Sequence, residues 1–250
     1  AKIRNNFRHV KEVLKARFSN SEICFAFKSN SLLAVLKILQ QEGAFADVVS
    51  EMEFRQALYV GFDPAKIVFN GNNKSRNELR LAIEKGAIIN CDSLCELQMI
   101  IEEAEILDKK ARLCIRVNND VDSGVIPEFS TALKKSKFGI DLDGGAFEAF
   151  AKAVSSPRCQ VLGIHSHIGT QIEDSNCYRY SSVKIMDFCG RLKRELGLDL
   201  QFVNMGGGYA VPHEYLDHYD TIESFATAIS DIFRSKVEEY GLCEPTLLIE

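Results

Sequence analysis

Lys28 follows a run of mostly apolar residues in ICFAFKSNS, residues 23–31, and a polar cluster begins at once behind it. A neutral lysine is a nucleophile toward aldehydes. Its free pKa is about 10.4, so holding it neutral at pH 7 costs roughly 4.6 kcal/mol. Burial at the mouth of a cavity shifts a lysine by ~3–5 units, which predicts that Lys28 is buried if it is reactive. Other residues with chemistry to offer also sit at or near the ends of apolar runs. Asp47 lies in FADVV, Arg116 in ARLCIRV, His165 and His167 in VLGIHSHI, and Glu250 closes PTLLIE. NGNNKS follows IVF at 70–75, and Gly206, Gly207 and Gly208 follow LQFVNM. Backbone N–H groups of such a glycine loop are suited to an anion, and above all to phosphate.

Each residue also has a plainer reading. Lys28 alone could be a solvated lysine, Glu53 a helix cap, one of the histidines a satisfied core residue, and the glycine triplet a turn. The His-x-His pair could ligate a metal, but only His9, His213 and His218 remain to complete the set. His9 falls in a helical pattern and the other two in a connection, so no metal site is expected. It is the gathering of these residues at one end of successive strands that favours a site.

The elements that position them follow from hydrophobic period. ICFAF, FADVV, KIVFNG, AIINCD, ARLCIRV, VLGIHSHI, LQFVNM and PTLLIE read as short strands, separated by amphipathic helices. SLLAVLKILQQEG carries Leu32, Val35, Leu36 and Leu39 on one face and stops at Gly43. Ser50/Glu53, Ser75/Glu78 and Ser93/Glu96 have capping-box spacing, and Gly61 and Gly86 end the first two of those helices. Strands alternating with single helices imply parallel pairing through right-handed crossovers. Eight of them predict a (β/α)8 barrel across residues 1–250, with its chemistry at the C-terminal ends of the strands. An open doubly wound sheet is the competitor, but no Gly-x-Gly-x-x-Gly follows the first strand. The two longest connections, 118–138 and 209–220, would lie on the same face.

Composition narrows the function classes. The chain has 250 residues, 46% hydrophobic and 26% charged, with a net charge of −5 and no basic run to track a nucleic acid. The first residues lack the apolar segment of a signal peptide or membrane span. Eight cysteines are scattered with no paired C-x-x-C motifs, which points to buried thiols in a reducing, cytoplasmic compartment. An amine nucleophile, a phosphate loop, a ring-facing histidine and an acidic strand end together suit one cofactor. Pyridoxal 5'-phosphate is an aldehyde that carries a phosphate and a basic ring nitrogen needing an acidic partner.

FAFKSN, ADVVSEMEF, IVFNGNNKS, INCDSLCEL, IRVNNDVD, SKFGI, GIHSHIGTQI and NMGGGYAVP, in that order, resemble the alanine-racemase-like barrel of the fold-type III decarboxylases. The resemblance runs from about residue 10 to Glu250, and GNNKS and HIGTQI bring it nearest to the diaminopimelate decarboxylases. It implies that Lys28 binds the cofactor aldehyde covalently, that Asp47 lies near that lysine and that Arg116 lies close to the ring. By the same resemblance His167 stacks on the ring face, Thr170 and Gly206 to Gly208 hold the phosphate, and Glu250 partners the pyridine nitrogen. A carboxylate at that last position suits loss of carbon dioxide; a family racemase has an arginine there.

Several positions depart from the family pattern. Thr170 replaces a usual serine, SEMEF a glycine-bearing stretch, and PEFSTALKKSKFG a His-x-Tyr-Ile loop. The family's second, β-rich domain lies beyond Glu250, so the resemblance implies a barrel from a longer protein, a homodimer whose site that domain completes. The implied activity is decarboxylation of meso-diaminopimelate to lysine. The alternatives are another amino-acid-like substrate (ornithine, arginine, carboxynorspermidine or a natural-product intermediate) and a non-catalytic cofactor-binding homologue.

Overall fold

The computed structural model of the chain describes residues 1–121, 136–211 and 219–250. Helix α1 (Lys2–Arg17) leads into β1 (Ser21–Ala26), and then helix and strand alternate. The order is α2 (Leu33–Gln41), β2 (Phe45–Val48), α3 (Glu51–Val60), β3 (Ile67–Phe69), α4 (Arg76–Lys85), β4 (Ile88–Cys91), α5 (Leu94–Ile106) and β5 (Ala111–Asn118). The second half holds β6 (Ile140–Asp141), α6 (Ala146–Ser155), β7 (Cys159–His165), α7 (Asn176–Leu196), β8 (Phe202–Asn204), α8 (Ile222–Tyr240) and β9 (Thr246–Ile249). All pairings between these strands are parallel, in the order β4-β3-β2-β1-β9-β8-β7-β5, and β4 pairs with β5 to close the ring. This is the expected eight-stranded barrel. The two-residue β6, absent from the sequence reading, adds to the upper end of β5.

Strand alternation sorts the core into two parts. Ile67 and Phe69, Ile89 and Cys91, Leu247 and Ile249 point outward into the large layer beneath the helices. Val68, Ile88 and Leu248 point inward and join Cys24, Cys114 and Phe202 as an apolar plug in the lumen. The plug fills the interior, so any chemistry must lie above it.

Helix ends follow local chemistry closely, with one difference. Ser75 and Glu78 make the full reciprocal capping box. Ser50 and Ser93 accept from the N–H groups of Glu53 and Glu96, but the two carboxylates do not return to their caps. Glu53 accepts from the Val49 N–H at 2.8 Å, and Glu96 accepts from Lys74. Gly61 and Gly86 both end their helices in the left-handed region. The cysteines are all free, but only Cys24, Cys91, Cys114 and Cys189 are buried, while Cys95 and Cys243 are exposed. The expectation of buried thiols therefore fails for Cys95 and Cys243. Most of the connections 118–138 and 209–220, the PEFSTALKK stretch, and His213 and His218 lie outside the described residues. No described helix is long and apolar enough to cross a membrane.

Candidate active site

One step of two residues above the apolar plug, the inward positions turn polar. Val68 is followed by Asn70, Ile88 by Asn90, Cys114 by Arg116, Phe202 by Asn204 and Leu248 by Glu250. Asp47 stands two residues above Phe45, which packs on the same plug. His165 ends β7 opposite Arg116 in the strand register. The strand period that fills the barrel with carbon thus delivers a buried polar ring at its C-terminal end.

The ring is held by amides. Asn90 Nδ2 donates to Asn70 Oδ1 at 2.8 Å. Asn70 Nδ2 donates both to Asp47 Oδ1 at 2.6 Å and, across the lumen, to Glu250 Oε1 at 3.2 Å. Asn204 Nδ2 donates to the same Glu250 oxygen at 3.0 Å, while its Oδ1 accepts from the Gly206 N–H at 2.8 Å. His165 Nε2 stands 3.4 Å from Glu250 Oε1.

The two carboxyls answer differently to this environment. Burial, with the neighbouring Glu250 charge, pushes Asp47 up to about 8. Burial also opposes the charge on Glu250, but the facing His165, His167 and Lys28 outweigh it and hold Glu250 below the usual carboxylate range. The donor count agrees with this direction: hydrogen bonds to the charged form favour it, and Glu250 has the larger share. Burial pushes both imidazoles down, His167 to about 3, so they are uncharged at neutral pH; there the amide donors and Lys28 are what favour the Glu250 charge.

Lys28 lies two residues beyond β1, in a 3-10 turn of Phe27–Ser29, rather than at the strand end. Phe27 is fully buried and packs edge-on against Phe62, with centroids 5.6 Å apart, which turns its neighbour toward the lumen side. The expectation that Lys28 is buried is not met: it is exposed at the cavity wall, because the turn lifts it above the sheet. It nevertheless lines a cavity of about 750 Å³ together with His167, Thr170, Gly207, Gly208 and Glu250. An adjoining cavity of about 360 Å³ shares Lys28, His167 and Glu250 and adds Arg116, His165 and Asn70. Arg116 is buried, 3.4 Å from Asp92 and 4.6 Å from the Phe138 ring.

Two predicted site residues stand apart from these walls. Asp47 is fully buried beneath the floor, and Gly206 spends its N–H on Asn204. Gly207 donates to His167 Nδ1 at 3.3 Å, which leaves the other ring nitrogen of His167 to carry the proton. Of the triplet, Gly208 is then the N–H donor with no partner of this kind among the described residues. The triplet has to be glycine for reasons of packing. A Cβ at Gly207 would meet the Glu250 carbonyl oxygen at 2.3 Å, and one at Gly208 the Gly169 carbonyl oxygen at 2.0 Å.

Sequence reasoning passed over the supports of the site. Asn70, Asn90 and Asn204 each come directly after apolar strand residues (IVFN, IIN, FVN), at or next to a strand end, and that recurrence was the available signal. Lys74, in NGNNKS, belongs to these supports as well. It is 4% exposed and donates to Glu96 Oε1 at 2.6 Å, the Gly71 carbonyl at 2.7 Å and the Asn90 carbonyl at 2.8 Å. It therefore ties the 71–73 turn, which lines the smaller cavity, to the amide ring.

The donor set suits a phosphorylated pyridine aldehyde. The cavity presents an amine, a hydroxyl and a free N–H beside a glycine cradle, and a carboxylate, Glu250, whose described side-chain donors all fall on Oε1. Asp47 Oδ2 and both ring nitrogens of His165 are buried without hydrogen-bond partners among the described residues, which marks this ring as built for more than packing.

Comparison with known proteins agrees. Diaminopimelate decarboxylase of Methanothermobacter thermautotrophicus is 34% identical over 249 residues, 100% of this chain and 57% of that protein. The enzyme of Helicobacter pylori strain J99 is 38% identical over 214 residues, 85% of this chain and 52% of its own length. The chain thus spans about half the length of the curated relatives it matches. Among solved structures, diaminopimelate decarboxylase from M. jannaschii superposes with a TM-score of 0.89 at 32% identity, covering 99% of this chain and 58% of that one. The H. pylori enzyme complexed with L-lysine gives 0.89 at 32% identity, covering 99% and 61%. The family model described as "Pyridoxal-dependent decarboxylase, pyridoxal binding domain" matches residues 1–250, and the chain belongs to that family.

Proposed function

We propose that the protein to which this barrel belongs is a pyridoxal-phosphate-dependent decarboxylase that converts meso-diaminopimelate to lysine and carbon dioxide. The observation that carries the reading is the convergence of Lys28, Gly208, Thr170, His167 and Glu250 on one cavity. The names of the relatives at 34% and 38% identity support the substrate. The reading includes a cytoplasmic homodimer in which further chain covers the cavity mouth.

In this reading Lys28 would hold the cofactor through its aldehyde carbon, Gly208 N–H and the Thr170 hydroxyl its phosphate, and Glu250 its ring nitrogen. When bound, the cofactor supplies an electron sink for the pair left behind as carbon dioxide departs. Glu250, ionised and fixed at Oε1, would present Oε2 to a ring N–H and keep a proton on that nitrogen. His167, held by the Gly207 N–H and uncharged at neutral pH, would offer a flat neutral face to the ring. Arg116 lines the smaller cavity beside it and would supply positive charge close to the ring. The larger cavity also has an apolar flank, including Ile23, Val35 and Ile249.

The test is made on the full-length protein. Added pyridoxal phosphate should give the visible absorption of a lysine-bound cofactor, and Lys28→Ala should abolish it. A panel of meso-diaminopimelate, ornithine and arginine should yield lysine from the first and nothing comparable from the others. Full-length protein that takes up no cofactor, or that turns over ornithine and not diaminopimelate, would overturn the reading.

A further inference from the structure

The lumen buries two carboxyl groups, Asp47 on β2 and Glu250 on β9, with no salt-bridged cation within 4 Å of Asp47 among the described residues. Two like charges sharing a buried site resist joint ionisation, so one of them keeps a proton. The hydrogen bonds are distributed unequally between them. Glu250 Oε1 accepts from Asn70 and Asn204 and faces His165, whereas Asp47 accepts from Asn70 alone and its Oδ2 is buried without a partner. Asn70 spans the pair with a single NH2 group, and that group is aimed by the Asn90 amide on its other side.

We infer that Asn70, backed by Asn90 and Asn204, is a positioning residue that sorts one proton between the two buried carboxyls. It leaves the proton on Asp47 and Glu250 ionised. The inference rests on the reading of Glu250 as the partner of a ring nitrogen, and it deepens that reading. An asparagine suits the task because its amide cannot titrate and has two N–H bonds, one for each carboxyl. A carboxylate in its place would add a third acid to the pair. The charged groups that face Asp47 are Lys28 from the turn after β1, Glu53 from α3 and Glu250 from β9, with Arg116 of β5 also within electrostatic reach. Those that face Glu250 are Lys28, His165 and His167, with Arg116 also within electrostatic reach. The Asn70 amide bonds to both carboxyls.

Two measurements on the full-length protein test this without using turnover. In cofactor-free protein at neutral pH, infrared spectra should contain a protonated-carboxyl stretch that Asp47→Asn removes; its absence from the wild type would overturn the inference. Binding is then compared for pyridoxal phosphate and for its analogue with carbon in place of the ring nitrogen. Wild type should prefer the nitrogen ring, and Glu250→Gln should lose that preference. Asn70→Ser should lower the preference by about tenfold, the worth of one charge-assisted hydrogen bond. A preference that survives Glu250→Gln would refute the role of Glu250 and this inference with it. One lost in Glu250→Gln but intact in Asn70→Ser would refute the inference alone. The infrared arm needs only wild type and Asp47→Asn, so it decides the proton's location even if Asn70→Ser fails to fold.

Discussion

The Lys74–Glu96 pair gives the sharpest test of what holds the site floor. Lys74 is 4% and Glu96 3% exposed, with a contact of 2.6 Å. The ammonium also satisfies the carbonyls of Gly71 and Asn90. Lys74→Met removes the charge and all three hydrogen bonds while roughly preserving shape. Burial already pushes Glu96 above the usual carboxylate range, with Lys74 as the main opposing influence. The single variant therefore strands a buried carboxylate, at a cost of about 3–5 kcal/mol. Adding Glu96→Leu removes that charge and leaves the Gly71 and Asn90 carbonyls without the ammonium, at about 1–3 kcal/mol. The double variant should thus be more stable than Lys74→Met by about 2 kcal/mol, although it carries one more substitution. Urea unfolding of the full-length protein gives the stability, and hydrogen exchange over residues 70–106 locates the loss without assuming a two-state transition. Additive losses in the double variant, or a single-variant loss below about 1 kcal/mol, would refute the argument.

The remaining expectations are briefer. Asp47 is pushed up from its ordinary 3.8 to about 8, so its protonated form contributes stability at low pH that is lost as pH rises through the folded value. Between pH 6.5 and 8 the cofactor-free protein should lose up to about 2 kcal/mol by this route, and Asp47→Asn should flatten the profile in urea titrations. His167 works in the opposite sense, but below its ordinary 6.5, where falling pH costs stability. Gly208→Ala puts a Cβ 2.0 Å from the Gly169 carbonyl oxygen at a backbone φ of +101°. Spectral titration should find cofactor affinity weakened at least about tenfold, corresponding to the ~1–2 kcal/mol of left-handed strain alone; unchanged affinity would count against the cradle. Ser75→Ala removes one half of the capping box on α4 and should cost about 1 kcal/mol by chemical denaturation.

The barrel was legible because its strands are short, apolar and separated by helices with explicit punctuation at Ser50, Ser75, Gly61 and Gly86. Long-range closure followed from counting strands, since eight parallel strands have few other ways to bury both faces. What sequence pattern could not supply was height. Lys28 reads as a strand end, but two extra residues and the burial of Phe27 lift it into an exposed turn. Capping signals were legible at the serine and less so at the glutamate. Glu53 and Glu96 have the right spacing, but nearby N–H and ammonium groups offered by tertiary structure win their carboxylates. The amide ring was hidden for a different reason. Asparagine at the end of a strand is ordinary turn chemistry, and only closure of the barrel brings Asn70, Asn90 and Asn204 into one lumen.

That closure also explains why the site is polar where it is. In a closed barrel an inward side chain cannot turn to solvent. A polar group above the plug must find a partner inside the ring or stay unpaired, as both ring nitrogens of His165 do among the described residues. Asn70 and Asn204 meet that demand as donor and acceptor at once, linking Asp47 to Glu250 and Glu250 to the Gly206 backbone. The Glu250 N–H in turn donates to the Gly206 carbonyl at 2.9 Å. The carboxylate and the glycine loop are therefore joined twice, by side chain and by backbone. A displacement of either end must move the other, so the groups that would hold the two ends of one ligand keep their spacing through the strand-end asparagine between them.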